Sequence, residues 1–167
     1  MNADRPVALA QLLQCDESDL EIVLPWTGPV IGEDGALVAD LLPEKFYYAT
    51  SVGLPKDGVA DEAIAHNQQI LATLMQVDGM LTTTVAISAD CWNAVRNLVV
   101  WRDPSALREF IDTPAHLAAA ERTKDLMHNW EGTGWFSTRE AGLPHSAESR
   151  ARLDGAHAPA SDCASFR

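Results

Sequence analysis

The centre of the chain carries a strand that runs directly into a helix, in the segment Val99-Val100-Trp101-Arg102-Asp103-Pro104-Ser105-Ala106-Leu107-Arg108-Glu109-Phe110-Ile111-Asp112-Thr113-Pro114-Ala115-His116. Residues 97–101 form an apolar, β-branched run of strand length. Asp103-Pro104 is typical of a helix start, because aspartate accepts a hydrogen bond at the cap and proline has no N–H to leave unsatisfied. Thr113-Pro114 repeats the signal, and this proline cannot continue the first helix. The pattern predicts two consecutive helices, the second starting at Thr113.

The second helix places His116 in its first turn. The N–H groups and the positive end of the helix dipole at that position disfavour an added proton. A neutral imidazole near pH 7 is a candidate general base. A surface histidine on a capped helix is the alternative, and the sequence leaves both readings open.

Composition limits the classes of partner. The 167 residues are of single-domain length, and the net charge is −12, with 24 acidic and 12 basic residues. Lysine and arginine do not cluster, so we expect no nucleic-acid partner. The chain has no run of 18 apolar residues and its first residues do not resemble a signal peptide. We therefore expect a soluble, cytoplasmic protein with no membrane partner.

The three cysteines, Cys15, Cys91 and Cys163, are odd in number and far apart. They show no spacing typical of metal ligands. Their pattern indicates neither a disulfide framework nor a zinc site, and reduced thiols fit a cytoplasmic location.

The remaining pattern predicts an ordered central domain between an extension and a tail. Residues 1–44 form the extension, with a small hairpin over 28–38 through Asp34-Gly35. Strands are predicted at 45–52, 80–88, 92–101 and 129–138, and helices at 60–76, from 104 and at 113–127. Residues 140–167 form the tail. The domain over 45–139 therefore has the order β-α-β-β-α-β, typical of an α+β, ferredoxin-like fold with a four-stranded antiparallel sheet.

Apolar residues are predicted on both faces of this sheet. Leu98 and Val100 point one way, while Val99 and Trp101 point the other. The helices cover only one face, so the second needs another cover. A second copy of the chain is the commonest solution, and we predict a homodimer.

The order of elements and two segments resemble the dimeric α+β-barrel superfamily, and within it the antibiotic-biosynthesis monooxygenase-like group. The segments are Leu98-Val99-Val100-Trp101-Arg102-Asp103-Pro104-Ser105-Ala106-Leu107-Arg108-Glu109-Phe110 and Ala115-His116-Leu117-Ala118-Ala119-Ala120. The resemblance covers residues 45–138 and implies a cleft between the sheet and its helices. It implies no single reaction, because the group includes oxygenases without metal or flavin, lactone isomerases, haem-handling enzymes and members without known activity.

Polar and aromatic residues that can face such a cleft are the site candidates. The candidate catalytic residues are His116 and His66. The candidate substrate-binding residues are Tyr48, Trp92, Asn93, Arg96, Asn97, Trp101 and Trp130. Strand alternation puts Asn93 and Asn97 on the face of Trp101, and Arg96 on the face of Trp92, so they cannot all line one pocket. Each also has a structural reading, as a satisfied buried group or as a core or interface aromatic.

The leading interpretation is a cofactor-independent monooxygenase that binds a small aromatic or polyketide-like substrate. His116 or His66 would remove a proton, and asparagine or arginine donors would stabilise the oxyanion. An isomerase or cyclase needs the same base, and a non-catalytic ligand-binding dimer stays a further alternative. The sequence has no P-loop, dinucleotide fingerprint or zinc-ligand set, so no metal or organic cofactor is predicted. Haem remains open, because His116 or His66 can ligate iron.

Overall fold

The computed structural model describes residues 18–143 of the chain, together with residues 12, 15, 148, 151 and 152. Within these residues the chain forms five β-strands and three α-helices. Their bounds are β1 (Glu21–Thr27), β2 (Lys45–Pro55), α1 (Ala60–Leu74), β3 (Met80–Ser88), β4 (Ala94–Trp101), α2 (Pro104–Ile111), α3 (Pro114–Leu126) and β5 (Met127–Thr138). None of the described helices has the length and apolar character that a membrane crossing requires. The predicted C-terminal tail lies mostly outside the described residues.

The five described strands form one sheet in the order β1-β3-β4-β2-β5, and each neighbouring pair is antiparallel. In the centre, β2 pairs with β4, with Tyr47 opposite Trp101 and Ser51 opposite Asn97. The predicted hairpin of β3 and β4 is present. Helix α1 connects β2 to β3, and α2 and α3 connect β4 to β5. The ferredoxin-like α+β fold is therefore confirmed, with β1 as an additional edge strand that the sequence analysis did not predict.

The break between α2 and α3 lies at the second proline, as predicted. The Asp103 carboxylate accepts hydrogen bonds from two backbone N–H groups of α2, at 2.8 and 3.0 Å. The Thr113 hydroxyl oxygen accepts one from the backbone N–H of His116 at 3.1 Å. Each cap satisfies N–H groups that have no acceptor within their own helix. Both helices therefore begin one residue after a capping side chain.

The turn between β3 and β4 corrects the predicted start of the third strand. The sequence predicted a strand from Trp92, but β4 begins at Ala94. Trp92 and Asn93 have φ values of 57° and 59°, and the N–H of Ala94 donates to the Cys91 carbonyl at 3.0 Å. Positive φ values at both central residues are typical of a tight hairpin turn. Trp92 and Asn93 therefore do not follow the strand alternation that the sequence pattern assigned to them.

The helices cover one face of the sheet, here called the helix face. Its core contains aromatic and aliphatic side chains from β2, β3, β4, α1 and α2. The buried members are Tyr47, Leu74, Met80, Trp101, Ala106, Leu107 and Phe110. Tyr47 and Trp101 lie opposite each other in the sheet, and Phe110 stacks on Trp101 with ring centroids 5.6 Å apart. This packing places the end of α2 directly over the centre of the sheet.

The opposite face, here called the outer face, is covered by the chain's own N-terminal residues. Its buried members from the sheet are Phe46, Tyr48, Leu98, Val100 and Trp135. Val30 and Leu42 pack against them and are 2% and 0% exposed. The expectation that this face needs a second copy as its cover is therefore corrected. The homodimer remains the prediction of the sequence analysis, but an uncovered sheet face no longer supports it.

The hairpin predicted in the N-terminal extension is confirmed. Ile31 and Leu37 pair in an antiparallel bridge, and the N–H of Gly32 donates to the Ala36 carbonyl at 2.8 Å. Gly35 has a φ of 77°, a conformation that glycine adopts without strain. The hairpin brings Val30 and the residues after it back over the sheet.

A disulfide corrects the prediction for the cysteines. Cys15 and Cys91 are bonded, with their Cα atoms 5.9 Å apart. They are separated by 76 positions in the sequence, so spacing gave no sign of their proximity. Cys163 lies outside the described residues. Reduced thiols therefore no longer support the predicted cytoplasmic location, which stays a prediction.

We expect Asp103→Ala to lower the free energy of unfolding by about 1 kcal/mol, because two helix N–H groups lose their acceptor. The hydrogen bond from the Ala106 N–H is the main cause that lowers the pKa of Asp103. The stabilisation is therefore present above the unfolded-state pKa of about 3.9 and is lost as the pH falls through the folded-state pKa. Urea unfolding at neutral and acidic pH measures both effects. Asp103→Asn retains an acceptor and is the control, so equal losses in both variants would contradict the capping role.

Candidate active site

A cleft of about 300 Å³ lies between α1 and α3, with the end of α2 beside it. Its polar lining residues are His66, Gln69, Thr73, His116 and Arg122, and its larger apolar ones are Ile70 and Phe110. The structure therefore brings the two candidate catalytic histidines to the same cleft. Its volume is at the lower end of the range for small-molecule sites.

His116 is held by two contacts that fix its ring. Its Nδ1 lies 3.1 Å from the Ile111 carbonyl oxygen, and its ring meets the Phe110 ring edge-on, with centroids 4.6 Å apart. A carbonyl only accepts hydrogen bonds, so we assign the proton of the neutral ring to Nδ1. The lone pair then lies on Nε2, which is the nitrogen that can accept a substrate proton.

Burial makes the neutral form of His116 more stable. Desolvation lowers the pKa of His116 below its usual value, and the hydrogen bond to Ile111 opposes this shift with a smaller effect. The sequence analysis attributed a neutral ring to the helix N-terminus, and removal from water lowers the pKa of His116 in the same direction. The imidazole is therefore in its basic form at pH 7.

His66 has a different environment within the same cleft. It is 9% exposed, and its Nε2 lies 3.1 Å from the Ala119 carbonyl oxygen and 3.2 Å from the Thr123 hydroxyl. The Thr123 hydroxyl itself donates to the Ala119 carbonyl at 2.9 Å. The shared carbonyl acceptor assigns a proton to Nε2 of His66. His66 therefore links α1 to α3 through its N–H, while its lone pair lies on the other ring nitrogen.

Arg122 contributes a charge at the cleft that is already paired. Its guanidinium contacts Glu62 from α1, and lies 3.3 Å from Asp125 one turn further along α3. Both carboxylates are more than half exposed, so these pairs contribute little to the free energy of folding. They hold the guanidinium beside the lining residues of the cleft.

A small amide network lies between α1 and the sheet. The side-chain amides of Asn67 and Asn97 donate to each other's carbonyl oxygens, at 3.3 and 3.4 Å. Asn97 also donates to the Ser51 hydroxyl at 3.4 Å. Asn97 is thus on the helix face, as predicted, and its amide orientation is set by two neighbours. The sequence analysis missed Asn67, although an asparagine in the buried stripe of α1 was a signal for a buried polar partner.

Trp101 lies behind Phe110 on the helix face. Its side chain is 1% exposed, and its ring is tilted by 35° against that of Phe110. Within the described part of the chain, its indole Nε1–H is a buried donor without a hydrogen-bond acceptor. A buried donor of this kind costs free energy, and such groups in folded proteins call for an explanation.

The other substrate-binding candidates lie elsewhere. Tyr48 and Arg96 are on the outer face, where the Tyr48 hydroxyl donates to the Gly142 carbonyl at 2.7 Å and burial raises the pKa of Tyr48. Trp92 and Asn93 form the turn between β3 and β4 and are exposed. Trp130 is on the helix face at β5, with its ring against Gly53. The structure therefore does not place these residues in the cleft lining.

Within the described residues, no group of three or more histidine, cysteine, aspartate or glutamate side chains lies close enough together to hold a metal ion. The two cleft histidines are accompanied instead by amide, hydroxyl and guanidinium groups. These lining groups can exchange protons or form hydrogen bonds with a bound small molecule.

Comparison with solved structures identifies proteins of similar architecture. A Fusobacterium nucleatum protein provisionally named a monooxygenase matches with a TM-score of 0.54 and 14% identity, over 68% of this chain and 47% of that one. A Shewanella oneidensis protein matches with a TM-score of 0.53 and 14% identity, over 57% of this chain and 94% of that one. This chain has their fold. An antibiotic-biosynthesis monooxygenase also matches, at 12% identity over 59% of this chain and 99% of that one, but its TM-score of 0.49 is too low to add support.

The resemblance found in the sequence is thus confirmed as a likeness of fold. The chain matches no protein-family model and no curated protein sequence. It spans nearly all of the Shewanella protein but less than half of the Fusobacterium one. Because identities of this size carry no information on chemistry, the activity has to be argued from the cleft.

We expect the pKa of His116 to lie below the usual histidine value of about 6.5, with the neutral ring protonated on Nδ1. Titration of the histidine ring signals by NMR measures both properties. His128 on β5, outside the cleft, is the internal comparison. A pKa at or above the usual value, or a neutral ring protonated on Nε2, would contradict the assignment of His116 as a base.

Proposed function

We propose that the protein is a cofactor-independent monooxygenase that acts on a small, electron-rich aromatic substrate. The observation that carries the proposal is the environment of His116. The imidazole is neutral and half-buried, and its Nδ1 donates to the Ile111 carbonyl. The cleft that it lines is also lined by Phe110, whose ring meets the imidazole edge-on. This combination provides a base beside an aromatic wall.

The reaction that fits this base begins with removal of an acidic C–H or O–H proton by Nε2 of His116. The resulting electron-rich carbanion then reacts with dioxygen, and the electrons for oxygen reduction come from the substrate itself. A methylene group becomes a carbonyl, one oxygen atom enters the product, and the second leaves as water. The proton that His116 accepted returns in that water.

Proton removal places negative charge on a substrate oxygen, and a preorganised donor stabilises that charge. The sequence analysis assigned oxyanion binding to asparagine or arginine. Arg96 is on the opposite face of the sheet, and neither Asn93 nor Asn97 is among the lining residues of the cleft. The arginine among those lining residues is Arg122.

We expect His116→Ala to lower the rate of oxygen consumption with an anthrone or polyphenol substrate by about 10²–10⁴-fold, the usual contribution of a general base. An oxygen electrode and product analysis measure the rate, and circular dichroism checks that the variant is folded. His128→Ala removes a histidine outside the cleft and is expected to retain the wild-type rate.

The profile of kcat/KM against pH provides a second readout for the same residue. The wild-type rate is expected to fall as the pH drops through the lowered pKa of His116, because the protonated ring cannot accept a proton. Product formation without oxygen uptake would identify an isomerase or cyclase instead. An unchanged rate in His116→Ala would remove the proposed base.

A further inference from the structure

Residues that precede β2 cover the outer face of the sheet at two places, one near each end. At one end, Val30 and Leu42 pack against the buried side chains of β2, β4 and β5. At the other end, Leu12 is 1% exposed and packs against Val52, Leu54 and Ala94. These contacts are complete within a single copy of the chain.

The cover over the first end is attached by backbone contacts. The N–H of Val30 donates to the Leu81 carbonyl at 3.3 Å, and β1 pairs with β3 just before it. The Arg139 side chain, which follows β5, donates through Nε to the Leu42 carbonyl at 2.7 Å. Both ends of the segment from 30 to 42 are therefore bonded to the sheet or to the residues that leave it.

Gly28 shows how closely this segment approaches the sheet. Its φ is 145°, and a methyl group at its Cα would lie 2.6 Å from the Leu81 carbonyl oxygen and 2.7 Å from the Cα of Thr82. Both contacts are with backbone atoms, which cannot move aside as a flexible side chain can. Only glycine fits this approach of the extension to β3.

The second end of the cover is attached covalently. Cys15 is bonded to Cys91, which lies in the turn after β3. The Asp19 carboxylate accepts hydrogen bonds from the Ser88 hydroxyl at 2.5 Å and from the Asp90 N–H at 2.8 Å, next to the disulfide. Three bonds thus hold Cys15 and Asp19 to the end of the β3–β4 hairpin.

We propose that Leu12, Cys15 and residues 18–42 take the place of a second subunit on the outer face, and that the Cys15–Cys91 disulfide holds this cover in position. Because its own chain already buries them, the apolar side chains of the sheet on this face cannot contact a second copy. The two-fold pairing that the sequence alone favoured is therefore unavailable on this face. The proposal is independent of the reaction proposed for the cleft.

The full chain with the single substitution Cys163→Ser allows a direct test. Light scattering during size exclusion, in a Cys163→Ser background that removes the remaining thiol, is expected to give the mass of one chain, 18.1 kDa. Hydrogen exchange is expected to show protection of the Val30 and Val38 amides, which donate within the cover and to β3. A dimer with unprotected amides over 28–42 would overturn the proposal. A dimer that retains their protection would use another surface and leave the proposal intact.

Two glycine variants test the cover itself. Gly28→Ala is expected to raise amide exchange over 28–42 by about tenfold and to increase binding of an apolar dye, because the segment is displaced from β3. Gly35→Ala is the matched control, since Gly35 also has a positive φ but has nothing within 4 Å of an added methyl group. Equal exchange in both variants would overturn the proposed role of the cover. If Gly28→Ala does not fold, the mass and amide exchange of the chain that carries only Cys163→Ser decide between the outcomes.

Reduction of the Cys15–Cys91 disulfide tests whether this bond holds the cover in position. Dithiothreitol converts the disulfide to two thiols and is itself oxidised to a cyclic disulfide. Limited proteolysis before residue 21 is then expected to accelerate about tenfold or more, while the segment 28–42 stays protected. Cleavage at the same rate before and after reduction would show that the disulfide does not hold the cover.

Discussion

Burial of large side chains on both faces of β2 and β4 is the constraint on which the rest of the structure depends. Consecutive residues of a strand point to opposite faces, so Tyr47 and Tyr48 have to be buried on different sides of the sheet. The helices supply the cover for Tyr47, and the N-terminal extension supplies it for Tyr48. An extension that looked accessory in the sequence is thus part of the hydrophobic core.

The cleft results from the way in which α3 packs. Leu126 is the buried side chain of this helix, and α3 lies mainly against α1 and has little contact with the sheet. Polar residues are therefore tolerated along the contact between the two helices, where His66 bonds to the Ala119 carbonyl. The second histidine is placed by the short connection between α2 and α3. The chemistry proposed for the cleft would thus be located at a helix–helix contact whose polar groups need not be buried in the apolar core.

Local signals in the sequence predicted the central fold and the cap before His116. Asp103 and Thr113 act through bonds to residues two or three positions away, so their effect is visible in a short segment. The edge strand β1 has no such signal, because its exposed residues do not alternate and Pro25 interrupts them. The disulfide joins residues that are 76 positions apart in the sequence, and the Asn67–Asn97 pair joins residues that are 30 positions apart. Contacts between such distant positions leave no local signal in the sequence. Trp92 has a positive φ, a backbone conformation that is common for glycine and uncommon for tryptophan, so the sequence did not indicate a turn there.

The break at Pro114 has a consequence for proton transfer. In an unbroken helix the carbonyl of Ile111 would accept the backbone N–H four residues later, but carbonyls in the last turn of a helix lack such partners. The chain turns, and the side chain of His116 donates to this carbonyl instead. That bond uses Nδ1, which carries a proton in both the neutral and the charged ring. A proton can therefore arrive at Nε2 and leave again while the hydrogen bond through Nδ1 is kept, so the imidazole would hold one position throughout the proposed reaction.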